Sequence, residues 1–91
     1  MLIVRWTQLA ANDLKRINKR IAVHNAPSAA KLTLSMLAKA NELALYPDMG
    51  RQGRVSGTRE LVVHRHYYIV YRTTGTTVQI LAVNHTSQKW P

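Results

Sequence analysis

The chain has 91 residues, 46% of them hydrophobic, enough for a packed core and too few for a second one. There is no cysteine, which excludes disulfides, thiolate nucleophiles and cysteine-based zinc sites. Thirteen Lys and Arg face only Asp13, Glu42, Asp48 and Glu60, a formal charge of +9 that draws polyanions such as nucleic acid, the ribosome or an acidic protein segment.

The expected elements follow in chain order. Met1 leads directly into LIVRW, which lacks the basic and long apolar regions of a signal peptide. Apolar runs stay far below the roughly 20 residues that span a bilayer, so a cytoplasmic protein with no membrane role is expected. Leu2-Ile3-Val4 with Trp6 reads as a first short strand, and Trp6 as core. Thr7 offers a hydroxyl cap to a helix whose stripe is Ala10, Leu14, Ile17 and Ile21. Lys15, Arg16, Lys19 and Arg20 fall on its other side; such a face is more often simply solvated than bound to nucleic acid. Asn25-Ala26-Pro27 breaks the pattern, and Pro27 suits the first turn of a second helix. Its stripe is read as Ala30, Leu34, Leu37, Ala40 and Ala44, ending near Tyr46-Pro47. The short break predicts an antiparallel helical hairpin.

A period of two takes over in the second half. DMGRQGRVSG, residues 48–57, reads as an irregular basic loop. Leu61 and Val63 alternate with Glu60, Val62 and His64 in one strand; residues 67–72 form the next, 73–76 a turn, and 77–83 a third strand. The prediction is a single α+β domain, 1–91: an N-terminal strand, an antiparallel helical hairpin, then a three-stranded antiparallel meander, β-α-α-β-β-β. Where the first strand joins that sheet is not legible from the sequence.

GTRELVVHRHYYIVYR, residues 57–72, concentrates the candidate chemistry. His64, His66 and His85 can shuttle protons near neutral pH, although histidines beside turns are usually just solvated. For His85, function and structural hydrogen bonding are both open. Arg59 and Arg72 sit among apolar strand residues and call for partners, whether phosphate, a partner's carboxylate or Glu60. Glu60 beside Arg59 reads as a structural ion pair. Arg51 and Arg54 flank glycines in a loop that can bind phosphate or merely reverse the chain; no P-loop spacing supports a nucleotide site. Trp90 is read as packing, with Trp6 as neighbour, ahead of anchoring a partner. No cofactor and no metal ligand set is expected.

The motifs GR-x-GR-x-x-GTRELVV, YYIVYR, V-x-IL-x-V-x-H and Q-x-WP follow W-x-x-x-A-x-x-DL-x-x-I (Trp6, Ala10, Asp13, Leu14, Ile17) and the break before Pro27-Ser28-Ala29-Ala30. In this order they span nearly the whole chain, which resembles the RelE/ParE superfamily of type II toxin–antitoxin toxins. The intact helical hairpin and the GTREL stretch are more similar to the ParE branch. The resemblance implies growth arrest, sequestration by a cognate antitoxin and a role in plasmid or chromosome maintenance, and it leaves higher-order toxin–antitoxin complexes open. ParE-type members inhibit DNA gyrase, whereas RelE-type members cleave mRNA on the ribosome. RelE-type toxins carry an arginine before the Leu-Val-Tyr-like segment, where this chain has Tyr68; several carry a C-terminal His-Tyr pair, where this chain has His85 followed by Thr86. The leading expectation is therefore a gyrase inhibitor acting by binding, with Arg51, Arg54, Arg59, Arg72, His85 and Trp90 as target or antitoxin contacts. The alternative is a metal-independent mRNA endonuclease using His85, Arg59 and Arg72. A plain nucleic-acid-binding module rests on charge alone.

Overall fold

Thr7 closes the first strand and opens the first helix. Its hydroxyl accepts from Ala10 N (3.1 Å) and donates to Ile80 O (2.9 Å), so one residue caps a helix and ties it to the last strand. The computed structural model describes residues 1–91. Strand β1 is Ile3–Trp6, helix α1 Gln8–Ala22 and helix α2 Ala26–Asn41; a 3-10 turn, Glu42–Ala44, follows α2. Strands β2 (Arg51–Gln52), β3 (Arg59–His64), β4 (Tyr67–Thr74) and β5 (Thr77–His85) complete the chain.

The expected stripe of α1 is the one that packs: Ala10 and Ile17 are buried, with Leu14 and Ile21 against the same core. For α2 the expected stripe holds at Ala40 and is corrected at Ala30 and Leu34. Ala30 is exposed, as is Leu34 at 67%, while Ala29, Met36 and Ala40 are buried, followed by Leu43 in the 3-10 turn. Both stripes have helical spacing, because α2 carries small or apolar residues almost all the way round; periodicity alone cannot choose between them. Asn18 of α1 fixes the choice, donating to Ala29 O (3.3 Å) and Thr33 Oγ1 (2.8 Å). The helix also stops earlier than expected, at Asn41, before tightening into the 3-10 turn.

The sheet has five strands in the order β1-β5-β4-β3-β2. β1 pairs parallel with β5, Ile3 opposite Thr77 and Trp6 opposite Ile80, and every other neighbour is antiparallel. The meander thus gains two edges: β1, whose place is not legible in the sequence, and β2, which falls within the expected basic loop. Arg51 and Gln52 are both exposed, and two residues are too few to display a period of two. β4 and β5 each run two residues further than expected, and Gly75, at φ +57, supplies the left-handed turn between them.

Side chains alternate across the sheet. Tyr67, Ile69 and Tyr71 join the main core beneath the helices, with Trp6 packed partly buried against it. Tyr68, Val70 and Ala82 form a small cluster on the other face, covered by Leu81 and Trp90. Trp90 therefore packs as expected, but not beside Trp6: the two indoles serve opposite faces.

Candidate functional site

Asp13 sets the geometry at one end of the molecule. Its Oδ2 accepts from Val83 N (3.0 Å) and its Oδ1 from Arg16 Nη2 (2.8 Å), docking α1 onto β5 near the point where β5 ends. Arg16 and Arg20, one helical turn apart, then share a cleft of about 70 Å³ with Tyr67, Val83, His85 and Gln88. Tyr67 and His85 are paired across β4 and β5, and their rings meet edge-on with centroids 5.5 Å apart.

The turn joining β3 to β4 brings two more imidazoles. His66 stacks on His85 (5.7 Å, 14° between planes), and His64 lies 5.6 Å from His66 and 5.9 Å from Tyr67. Both outer rings cap backbone. His64 Nδ1 accepts from His66 N (3.2 Å), and His85 Nδ1 accepts from Ser87 N (3.0 Å) with Ser87 Oγ at 2.8 Å. Burial, then the adjacent His66 and Arg65, hold the His64 pKa below the ordinary value of 6.5. The cleft therefore offers imidazole, phenol and two guanidinium groups; its nearest carboxylate, Asp13, is already shared between a backbone N–H and Arg16.

The arginines singled out from the sequence lie elsewhere. Arg51 binds Glu60 through Nη2 (3.0 Å) and Nε (3.2 Å), so Glu60 pairs across strands and not with Arg59, correcting the expected pair. Arg59 donates to Gly50 O (2.8 Å) and approaches Asp48 (3.6 Å), bracing the loop before β2. Arg72 is exposed and donates to Gln79 Oε1 (2.8 Å); Arg54 is exposed in the loop, and neither belongs to any of the four ion pairs. Of the expected contacts Arg51, Arg54, Arg59, Arg72, His85 and Trp90, His85 alone lines the cleft, and Tyr67, which the sequence sets beside the histidines, lines it too. In the sequence Arg16 and Arg20 belong only to a basic helix face, and their i, i+4 spacing is the available signal. A larger open groove of about 590 Å³ runs along the hairpin beside Asn12, Lys15, Arg16, Lys19 and Thr33; it has cations but no acid–base couple.

Tyr68 and Thr86, the two positions that differ from RelE-type toxins, contribute nothing to the cleft. Tyr68 lies in the cluster beneath Trp90, its hydroxyl donating to Gln88 O (2.8 Å) and accepting from Asn84 Nδ2 (3.3 Å). Thr86 is exposed beyond the end of β5.

Residues 4–90 match the model of the ParE toxin of the type II toxin–antitoxin system parDE. The chain belongs to the ParE toxin family. Among relatives of this ParE-family chain, a protein named as a toxin, Y4kP, of Sinorhizobium fredii is 36% identical, covering 97% of this chain and 92% of its own length. Toxin RelE2 of Caulobacter vibrioides is 33% identical over 97% of this chain and 99% of its own. A solved structure of the chromosomal ParDE system of P. aeruginosa superposes with a TM-score of 0.84 at 28% identity, covering 93% of this chain and 96% of that one. The helical hairpin on a small, mainly antiparallel sheet is thus the RelE/ParE fold, and the chain is a toxin of a type II toxin–antitoxin system.

Proposed function

We propose that this ParE-family toxin arrests bacterial growth by binding DNA gyrase, without breaking a covalent bond itself, and that a cognate antitoxin neutralises it. The observation that carries this reading is the side chain of Tyr68. Where RNA-cleaving members have an arginine, this chain has a phenol packed under Trp90, on the sheet face opposite the cleft. The second expected catalytic group, a tyrosine after His85, is replaced by the exposed Thr86. Losing one preorganised charge-stabilising donor typically costs about 10²–10³ in rate, and losing a general acid or base about 10²–10⁴. A nuclease lacking both would scarcely be toxic. The likeness to a ParDE structure supports the antitoxin as partner.

A second reading has its own support. Tyr67, His85, Arg16 and Arg20 do line one cleft, and one relative is named RelE2. In that reading the guanidinium groups neutralise the phosphate, and His85, whose Nδ1 is held by Ser87 N, contacts the RNA through Nε2.

Two assays separate them. Purified protein is expected to block gyrase supercoiling of relaxed plasmid, while the 5′ ends of mRNA in induced cells stay unchanged. His85→Ala is expected to reduce toxicity far less than charge reversal at Arg72. Codon-positioned mRNA cleavage that His85→Ala abolishes, with supercoiling normal, would transfer the assignment to the nuclease.

A further inference from the structure

Both outer histidines of the cluster use Nδ1 to accept from a backbone N–H: His64 from His66, and His85 from Ser87. A backbone N–H can only donate, so each Nδ1 must carry its lone pair and each ring must be the neutral Nε2–H form. An imidazolium has protons on both nitrogens and accepts nothing. Protonation therefore removes both caps, one in the turn between β3 and β4, the other in the turn that launches residues 86–91.

Those two turns are joined to each other. Thr86 N donates to His66 O (2.9 Å), Gln88 N to His85 O (2.9 Å), and Tyr68 hydroxyl to Gln88 O (2.8 Å); beyond them Trp90 covers Tyr68, Val70 and Ala82. The groups facing the rings are nearly all cationic or neutral. His66 and Arg65 come from the turn, Tyr67 from β4, Arg16 and Arg20 from α1, and Gln88 from the tail itself. The one nearby acid, Asp13, is occupied by Arg16 and Val83 N. Asp13 is therefore not free to compensate an imidazolium, and the stacked rings do not form a metal-binding group.

We propose that His64 and His85 form a proton-released latch: neutral, they hold residues 86–91 against the sheet; protonated, they free that segment and uncover the Tyr68–Val70–Ala82 face. The latch changes the surface that the toxin presents, and it operates whether the target is gyrase or RNA. The sign follows from linkage, because the released state binds more protons. For His64, whose pKa burial and the adjacent His66 and Arg65 hold below 6.5, the neutral, latched form is favoured above that value and is lost as pH falls below it.

The test is nuclear magnetic resonance on the purified, isotope-labelled chain at about pH 7.5 and about pH 5.5, either side of the free imidazole value of about 6.5. Ring nitrogen shifts at the higher pH should identify the Nε2–H form for His64 and His85. On acidification, amide exchange at Ser87 and Gln88 should accelerate, by up to about tenfold per pH unit for each proton taken up, after correction for intrinsic exchange. Backbone heteronuclear Overhauser effects of residues 87–90 should fall while those of Ile69 and Ile80 hold. The double variant H64N/H85N places an amide oxygen near each Nδ1 that accepts without titrating, so its tail should stay ordered at both pH values. An Nδ1–H form at neutral pH, a wild-type tail unmoved by acid, the same release in the double variant, or loss of the Ile69 and Ile80 signals together with the tail would each overturn the latch.

Discussion

The Tyr71 hydroxyl is shared by both ends of a four-residue loop: it donates to Pro47 O (2.6 Å) and accepts from Gly50 N (2.9 Å). Burial raises its pKa above the ordinary value of 10.0, and the Gly50 N–H partly opposes that rise. Tyr71→Phe strands both backbone groups, so a loss of about 1–3 kcal/mol is expected by chemical denaturation. Gly50→Ala is expected to destabilise the same loop, because a Cβ there would lie 2.8 Å from Glu60 O and from the Tyr71 ring. This lock was invisible in the sequence, where Tyr71 is one aromatic among several and its two partners are backbone atoms. The Glu60 contact shows a different reason for illegibility. Arg59 is its neighbour in sequence, but adjacent strand residues point to opposite faces. Glu60 therefore lies with Val70 and reaches across to Arg51. Because the Glu60 side chain is only 9% exposed, removing Arg51 leaves a nearly buried carboxylate without its partner. Arg51→Ala should cost more stability than Arg54→Ala, and their melting temperatures would show the difference.

For whole elements, the first helix was legible, and the second in its existence and its Pro27 start but only partly in its buried stripe. The stripe of α1 is unique because Lys15, Arg16, Lys19 and Arg20 occupy the alternative face. α2 has no such contrast, and the contact that orients it, Asn18 to Ala29 and Thr33, joins residues far apart in the chain. Paired substitutions test that orientation. Met36→Ala, at 1% exposure, is expected to cost about 2–5 kcal/mol, whereas Leu34→Ala on the exposed side should stay within about 0.5 kcal/mol. Equal losses would contradict the packing. The strands of the meander were readable from alternation and from the Gly75 turn. β2 was too short to alternate, and the partner of β1 depends on a parallel pairing that leaves no local signature. The cleft was half legible for the same reason: His85 stood out by type, but Arg16 and Arg20 join it only once Asp13 has fastened α1 to β5.

The +9 charge of the whole molecule takes a specific form. Each of the four acids is engaged in one ion pair, so nine of the thirteen Lys and Arg side chains have no carboxylate partner within the fold. An antitoxin that complements this surface should present an acidic segment that orders on binding. Its association rate constant should be highest at low salt and fall as the screening length shortens to about 8 Å near physiological ionic strength. Stopped-flow measurements across a salt series would check this, and a flat series would exclude steering by the unpaired cations. The parallel pairing of Ile3–Trp6 with Thr77–Ile80 also matters while the protein is being made. The first strand to leave the ribosome has no partner until β5 has been synthesised, and the Thr7 bond to Ile80 O is equally delayed. Contacts this distant in sequence close late and raise the entropic barrier to folding. The nascent chain must therefore wait for β5 before its sheet can close, so the fold is completed only when its last strand has emerged.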